Sequence, residues 1–157
     1  MKNVALFGSL LLIVAILAGA YYFGLFAPSS DALKGRPIDE TAMIDLSGQK
    51  RSFAELRGQP ATLYFWATWC KPCLETLSAR AKETPSPEEN FITVALEDDP
   101  ERVAATLARI GYRGPSWVAT DGMSLIQRRY AGNDKRAVPF IVELDEEGRI
   151  LASSYGE

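Results

Sequence analysis

The sequence predicts one α/β domain carried behind an apolar N-terminal helix that spans a membrane. Two short apolar runs of β character, residues 62–67 and 91–96, are each followed by a segment of helical periodicity. A β-hairpin pattern follows residue 138. The stretch Val4 to Ala27, 24 residues, carries no charged side chain, against the roughly 20 residues a helix needs to cross a bilayer.

Lys2 and the amino terminus precede that run, and Asp31, Lys34 and Arg36 follow it after Pro28-Ser29-Ser30. The positive-inside tendency then places the amino terminus in the cytoplasm and the rest of the chain outside, with Tyr21 and Tyr22 near the outer interface. A cleaved signal peptide is the competing reading. Ala18-Gly19-Ala20 is a small-x-small site, and Leu6 to Leu17 would serve as its apolar core. The apolar run continues past that site through Phe26, which favours an anchor, and the lack of a polar face argues against a buried core helix. Either export reading puts the domain in an oxidising compartment. The expected division is an anchor at 1–27, a linker at 28–36 and a domain at 37–157.

Within the domain, Thr41 to Phe53 alternates as a hairpin turning at Ser47-Gly48, and Phe53 to Leu56 adds one helical turn. Thr62 to Ala67, rich in aromatics, reads as a buried central strand. Leu74, Leu77 and Ala81 recur at helical spacing from Cys73 to about Glu83, and Thr84-Pro85-Ser86-Pro87 ends that helix. Phe91 to Leu96 is a second buried strand. Asp99 is a suitable N-cap, Pro100 a suitable first helical residue, and Gly111 closes the helix marked by Val103, Leu107 and Ile110. Strand, helix, strand, helix is a βαβ unit with right-handed crossovers. Ser116 to Ala119 is a further short strand, and Gly122 to Tyr130 a helix or extended arm. Val138 to Leu144 and Ile150 to Ser153 form the last hairpin, turning at Asp145 to Gly148.

Composition removes several functions. No histidine is present, which excludes Ser-His-Asp and Cys-His catalysis and most zinc enzymes. No basic run exists to meet phosphates, so nucleic acid is not an expected partner. The acidic group Glu97-Asp98-Asp99 reads as a strand end and helix cap rather than a cation site. Trp66 and Trp117 read as core, Trp69 as exposed, and Arg128-Arg129 as a solvated pair.

The only two cysteines lie in Trp69-Cys70-Lys71-Pro72-Cys73, at a strand-to-helix junction. With no second pair and no histidine, a four-ligand zinc site within the chain is not available. As a structural cross-link the pair would close a tiny loop and restrict the unfolded chain little. Redox chemistry fits better. Cys70 falls at the helix start, where free N–H groups and the helix dipole favour a thiolate. Lys71 adds positive charge, and Pro72 fixes the backbone at a tolerated early helical position. Cys73 sits about one turn on and can close a disulfide with Cys70. Cys70 is then the exposed attacking thiolate and Cys73 the buried resolving thiol. Neither a cofactor nor a metal is needed.

The stretch Tyr64-Phe65-Trp66-Ala67-Thr68-Trp69-Cys70-Lys71-Pro72-Cys73 resembles the active-site region of the thioredoxin superfamily, and more closely its membrane-anchored TlpA/ResA/CcmG-like branch. Leu46-Ser47-Gly48 with Leu56-Arg57-Gly58 resembles that branch's lead-in hairpin. Val138-Pro139 before a strand, then Asp145 to Ile150, resembles its second signature. The resemblance covers roughly residues 35–154. It implies a thioredoxin-like fold, a central mixed sheet flanked by helices. It also implies a cis peptide bond at Pro139 facing the cysteine pair, with Val138 presenting its backbone to the substrate. The implied activity is thiol–disulfide exchange with protein disulfides, and the Lys-Pro dipeptide resembles that of reducing members. Electrons would come from a membrane conduit of the DsbD/CcdA type, and apocytochrome c is one implied client. Rival readings are a disulfide oxidase or isomerase, a Cu(I)-handling module on the two thiolates, and a docking domain that keeps only the fold.

The departures from the family pattern concern acids and one helix. Tyr64 stands where thioredoxins carry a buried acid, and Thr76 where the branch often has glutamate. Glu75 is one residue early, rotated by about 100° around the helix. Phe140 replaces a common threonine after the proline, and no counterpart of the terminal helix follows Ser153.

Overall fold

The computed structural model describes residues 2–83 and 90–156, with side chains from residue 7 onward. The helix end expected at Thr84 to Pro87 lies outside the described residues. The elements in chain order are α1 (Lys2–Tyr22), α2 (Ser30–Leu33), β1 (Met43–Asp45), β2 (Lys50–Arg51), a 3₁₀ turn (Phe53–Leu56), β3 (Ala61–Trp66), α3 (Lys71–Arg80), β4 (Phe91–Ala95), α4 (Pro100–Ile110), β5 (Ser116–Ala119), α5 (Gly122–Gln127), β6 (Phe140–Leu144) and β7 (Ile150–Tyr155). A further short 3₁₀ turn spans Tyr130–Gly132.

The seven strands form one mixed sheet in the order β2-β1-β5-β4-β3-β6-β7. The β3–β4 and β4–β5 pairs are parallel, and the others antiparallel. β3 lies between β4 and β6 and is buried on both faces, as its near-continuous apolar run requires. The two-residue period sends Leu63 and Phe65 to one core and Tyr64 and Trp66 to the other. The first core holds Phe53, Trp117, Leu125 and Phe140. The second holds both cysteines with Leu77 of α3 and Val103 and Leu107 of α4. Trp66 and Trp117 are therefore core residues and Trp69 is exposed, as the sequence indicates.

Two aspartates build the hairpin turns in the same way. Asp45 Oδ1 accepts the Ser47 and Gln49 amides at 2.9 and 3.0 Å, and Asp145 Oδ1 accepts the Glu147 and Arg149 amides at 3.0 and 2.8 Å. Such Asx turns satisfy backbone donors that the reversing chain leaves unpaired. At the start of α4, Asp99 accepts the Arg102 amide at 3.0 Å, the expected N-cap. The segment after Gly122 divides into α5 and a kinked turn.

The expected transmembrane helix is not supported: among the described residues no helix is long and apolar enough to cross a membrane. Val4 to Leu6 lie outside the described side chains, and the other end of the uncharged run is not helical. The chain leaves α1 at Tyr22 and turns at Gly24, φ +64°. A Cβ there would stand 2.6 Å from the Arg128 carbonyl oxygen, and Arg136 Nη2 donates to the Phe23 carbonyl at 2.6 Å. Residues 23–27 are thus docked on the domain. In α1 itself Leu10, Leu11, Leu12 and Ile13 point around the axis at about 100° steps, and all four are more than half exposed.

Residues 28–36, expected as a linker, are also folded against the domain. They contain α2, capped by Ser29. The Gly35 amide donates to the Ile150 carbonyl at 2.8 Å, and the Ile150 amide to the Arg36 carbonyl at 2.9 Å. Leu33 packs on the first core.

Candidate active site

The site lies where β3 ends and α3 begins. The Cys70 amide donates to the Ala67 carbonyl at 3.0 Å, closing a tight loop after the strand. Cys70 is the N-cap of α3, with Lys71 and Pro72 its first two residues. Pro72 is tolerated there because its missing N–H would have had no partner within the helix. Cys70 and Cys73 form a disulfide, with Cα atoms 5.3 Å apart. The Cys73 amide points at Cys70 Sγ, 3.3 Å away.

Cys70 is 4% exposed and Cys73 0%. The expectation of an exposed Cys70 is therefore corrected for the disulfide form. Bonded to Cys73, its sulfur is turned into the core that holds Tyr64, Trp66 and Leu77. The exposed surface beside it belongs to Trp69, 60% exposed. Lys71 is also exposed and is paired with Glu75 at 3.7 Å, the i,i+4 spacing. Its charge is thus shared with a carboxylate and screened by solvent. Glu75 faces Lys71, away from the buried pair.

The Val138–Pro139 peptide bond is cis. The antiparallel pairing of β3 with β6 sets Phe65 opposite Phe140, so the start of β6 and the end of β3 share one end of the sheet. Val138 packs against the core that contains both cysteines. The structure thus brings Trp69, Cys70, Lys71, Pro72, Cys73, Val138 and Pro139 to one sheet end.

No acid occupies the two positions where the resembled family carries one. Tyr64 is buried beneath the pair, and burial pushes its hydroxyl above the usual range, with Thr76 offsetting part of that. The Thr76 hydroxyl donates to the Pro72 carbonyl at 3.1 Å, and among the described residues the Tyr64 oxygen meets no partner at hydrogen-bond geometry. The Trp66 indole nitrogen in the same core also lacks one among the described residues.

One acid that the sequence placed in a strand end and helix cap also reaches the site loop. Glu97 follows β4, and its carboxylate accepts the Thr68 amide and the Thr68 hydroxyl, both at 2.7 Å. Its position beside Asp98 and Asp99 concealed it. The available signal was that parallel strands 62–67 and 91–96 end side by side.

This arrangement suits one kind of chemistry: opening and closing a disulfide at a helix N-terminus, where backbone donors stabilise a thiolate. Three comparisons bear on it. A sequence model of the AhpC/TSA family matches residues 34–153. The thiol-disulfide oxidoreductase ResA of Bacillus anthracis is 29% identical over 164 residues, covering 99% of this chain and 90% of that protein. Among solved structures, a thiol-disulfide oxidoreductase from Bacteroides fragilis superposes with a TM-score of 0.62 at 21% identity, covering 78% of this chain and 92% of the other. A thiol:disulfide interchange protein of the thioredoxin family from Chlorobium tepidum does so with a TM-score of 0.59 at 23% identity, covering 76% and 85%. At these identities the two solved structures speak to the fold.

Proposed function

The chain belongs to the AhpC/TSA family, and we propose that it is a thiol–disulfide oxidoreductase acting on protein disulfides through Cys70 and Cys73. The observation that carries this reading is the Cys70–Cys73 disulfide at the N-terminus of α3, at the same sheet end as the cis Val138–Pro139 bond. The similarity to ResA-type oxidoreductases over nearly the whole chain supports it.

In the reducing direction, the Cys70 thiolate attacks one sulfur of a substrate disulfide. The substrate S–S bond breaks, and the departing substrate thiolate takes up a proton. The Cys73 thiol then gives up its proton and attacks Cys70 Sγ. This breaks the mixed disulfide, releases the second substrate thiol, and leaves the intramolecular disulfide. Two electrons have passed to the substrate. Trp69, Lys71 and Pro72 shape the surface around Cys70, and the backbone of Val138 beside Pro139 holds the substrate chain.

The Lys-Pro dipeptide favours a reductase over an oxidase or isomerase. A reductase outside the cytoplasm needs an electron source across the membrane, and a DsbD/CcdA-type conduit fits that need, with apocytochrome c among the clients. The reading of a single-pass anchor in the cytoplasmic membrane, with the domain in the periplasm or extracytoplasmic space, rests on the uncharged run Val4 to Ala27, since no described helix is by itself long and apolar enough to span a bilayer. Among the described side chains of α1, Phe7, Leu10 to Val14, Ile16 and Leu17 are all more than half exposed, which supports apolar surroundings for this helix.

Equilibration of the protein in defined thiol buffers tests the direction. A reduction potential near about −270 mV supports a reductase, and one near about −120 mV makes the disulfide the reactive form and the protein an oxidase.

A further inference from the structure

We propose that Glu97 is a positioning residue for Cys70, holding the site loop through Thr68 once the disulfide has opened. The inference rests on the reading of Cys70 and Cys73 as a working redox pair.

The parallel ladder between β3 and β4 ends with the Leu96 amide donating to the Trp66 carbonyl at 2.8 Å. Regular continuation of a parallel ladder would next bring the Thr68 amide to the Leu96 carbonyl. Instead the Thr68 amide is taken by the Glu97 carboxylate at 2.7 Å, and the second carboxylate oxygen takes the Thr68 hydroxyl at 2.7 Å. The side chain replaces the ladder where β3 must bend toward Cys70. Both contacts are charge-assisted, and the Glu97 side chain is only 10% exposed. Arg102 stands 3.6 Å from the same carboxylate, and its backbone amide is fixed by the Asp99 cap. A continuous set of contacts therefore runs from the start of α4 through Arg102 and Glu97 to Thr68, two residues before Cys70.

The two redox states depend on this contact unequally. With the disulfide closed, the covalent bond to Cys73 holds Cys70 at the helix N-terminus. With it open, the loop from Ala67 to Cys70 is held by its own turn and by Glu97. Removing the carboxylate therefore weakens the dithiol state more than the disulfide state, and the couple becomes more reducing. A residue that serves stability alone would weaken both states alike and leave the potential unmoved. A direct effect of the negative charge on the Cys70 thiolate would act in the opposite sense, because removing the charge favours the thiolate.

The test uses the full chain equilibrated with glutathione. Two glutathione thiols give up two electrons and two protons to the Cys70–Cys73 bond, leaving two protein thiols and one glutathione disulfide. Glu97→Ala is expected to lower the equilibrium constant for reduction about tenfold, which corresponds to about 30 mV for a two-electron couple. It should also raise the pH midpoint for alkylation of Cys70. Glu97→Gln should restore most of the wild-type value, since its oxygen can accept the Thr68 amide and its NH₂ can donate to the Thr68 hydroxyl. Thr68→Val, which removes only the hydroxyl contact, should shift the couple in the same direction by less, and it stands in should Glu97→Ala not fold. An unchanged potential in Glu97→Ala and Thr68→Val would overturn the inference. So would Gln and Ala variants that shift upward together, which would show that the charge acts directly. Failure of the wild-type pair to exchange with glutathione would overturn the redox reading itself, and the inference with it.

Discussion

Cys70 caps the helix that contains its own partner: the Cys73 amide lies 3.3 Å from Cys70 Sγ, with the two residues joined through their sulfurs. One backbone donor thus faces the sulfur that becomes the thiolate. This asymmetry separates the two cysteines chemically.

Cys70→Ser should abolish thiol–disulfide exchange while leaving the fold intact. Serine is among the best N-cap residues, so stability in the reduced state should stay within about 0.5 kcal/mol of wild type. Cys73→Ser should accumulate a mixed disulfide between Cys70 and the substrate, visible by mass spectrometry of acid-quenched reactions. Accumulation on the Cys70→Ser variant instead would reverse the assigned roles.

Leu77→Ala should destabilise the domain by about 2–5 kcal/mol. Leu77 is fully buried in the core shared by the cysteines and α4, and truncation leaves a cavity beneath α3. Urea unfolding of the oxidised form measures the loss, and a cost below about 1 kcal/mol would mean that the site collapses around the gap.

Asp99→Ala should cost about 1 kcal/mol by removing the cap that accepts the Arg102 amide. Asp99→Asn, which keeps an acceptor, should lose a few tenths at most. Equal losses in the two variants would point to the ion pair of Asp99 with Arg102, at 3.7 Å, rather than the cap.

The acid limb of stability should depend on Asp45. The Ser47 hydroxyl holds its carboxyl below the usual range; burial opposes it, and the Gln49 and Ser47 amides and Arg51 add smaller pulls in the same downward direction. A depressed folded value contributes stability that is present above the unfolded value, near about pH 4. That contribution is lost as pH falls through the folded value. Asp45→Asn should therefore flatten the fall of the urea midpoint between about pH 4 and pH 2. An unchanged slope would assign the acid limb to other carboxylates such as Asp134, held down mainly by the Tyr155 hydroxyl.

Gly24→Val should release residues 23–36 from the domain. Its Cβ would meet the Arg128 carbonyl oxygen at 2.6 Å, in a backbone conformation of φ +64°. The left-handed conformation alone costs an L-residue about 1–2 kcal/mol. Proteolysis in this segment should become several-fold faster, with Cys70 and Cys73 still able to pair. Unchanged proteolysis would mean that the Gly35 and Arg36 contacts hold the segment unaided.

Much of this protein was legible in its residues taken alone. The aromatic run at 62–67, the cap at Asp99, the Asp145–Gly148 turn and the position of the cysteines at a helix start all follow from local chemistry. Apolar periodicity, caps and turns act over a few residues. What acts at a distance was hidden. The alternation along β3 did not show that Tyr64 and Trp66 would share a core with the cysteines while Leu63 and Phe65 would not. The uncharged run did not show that residues 23–27 would turn and dock on Arg128 and Arg136. Cys70 looked exposed because its place at a helix start is local, whereas its burial comes from packing around the closed disulfide. Glu97 read as part of a strand end and helix cap, because only the side-by-side ends of β3 and β4 bring it to Thr68, 29 residues away in sequence. Local sequence determined the strands, helices, caps and redox pair. The tertiary structure decided which side chains meet across the sheet, because that depends on strand order and register rather than on neighbours along the chain.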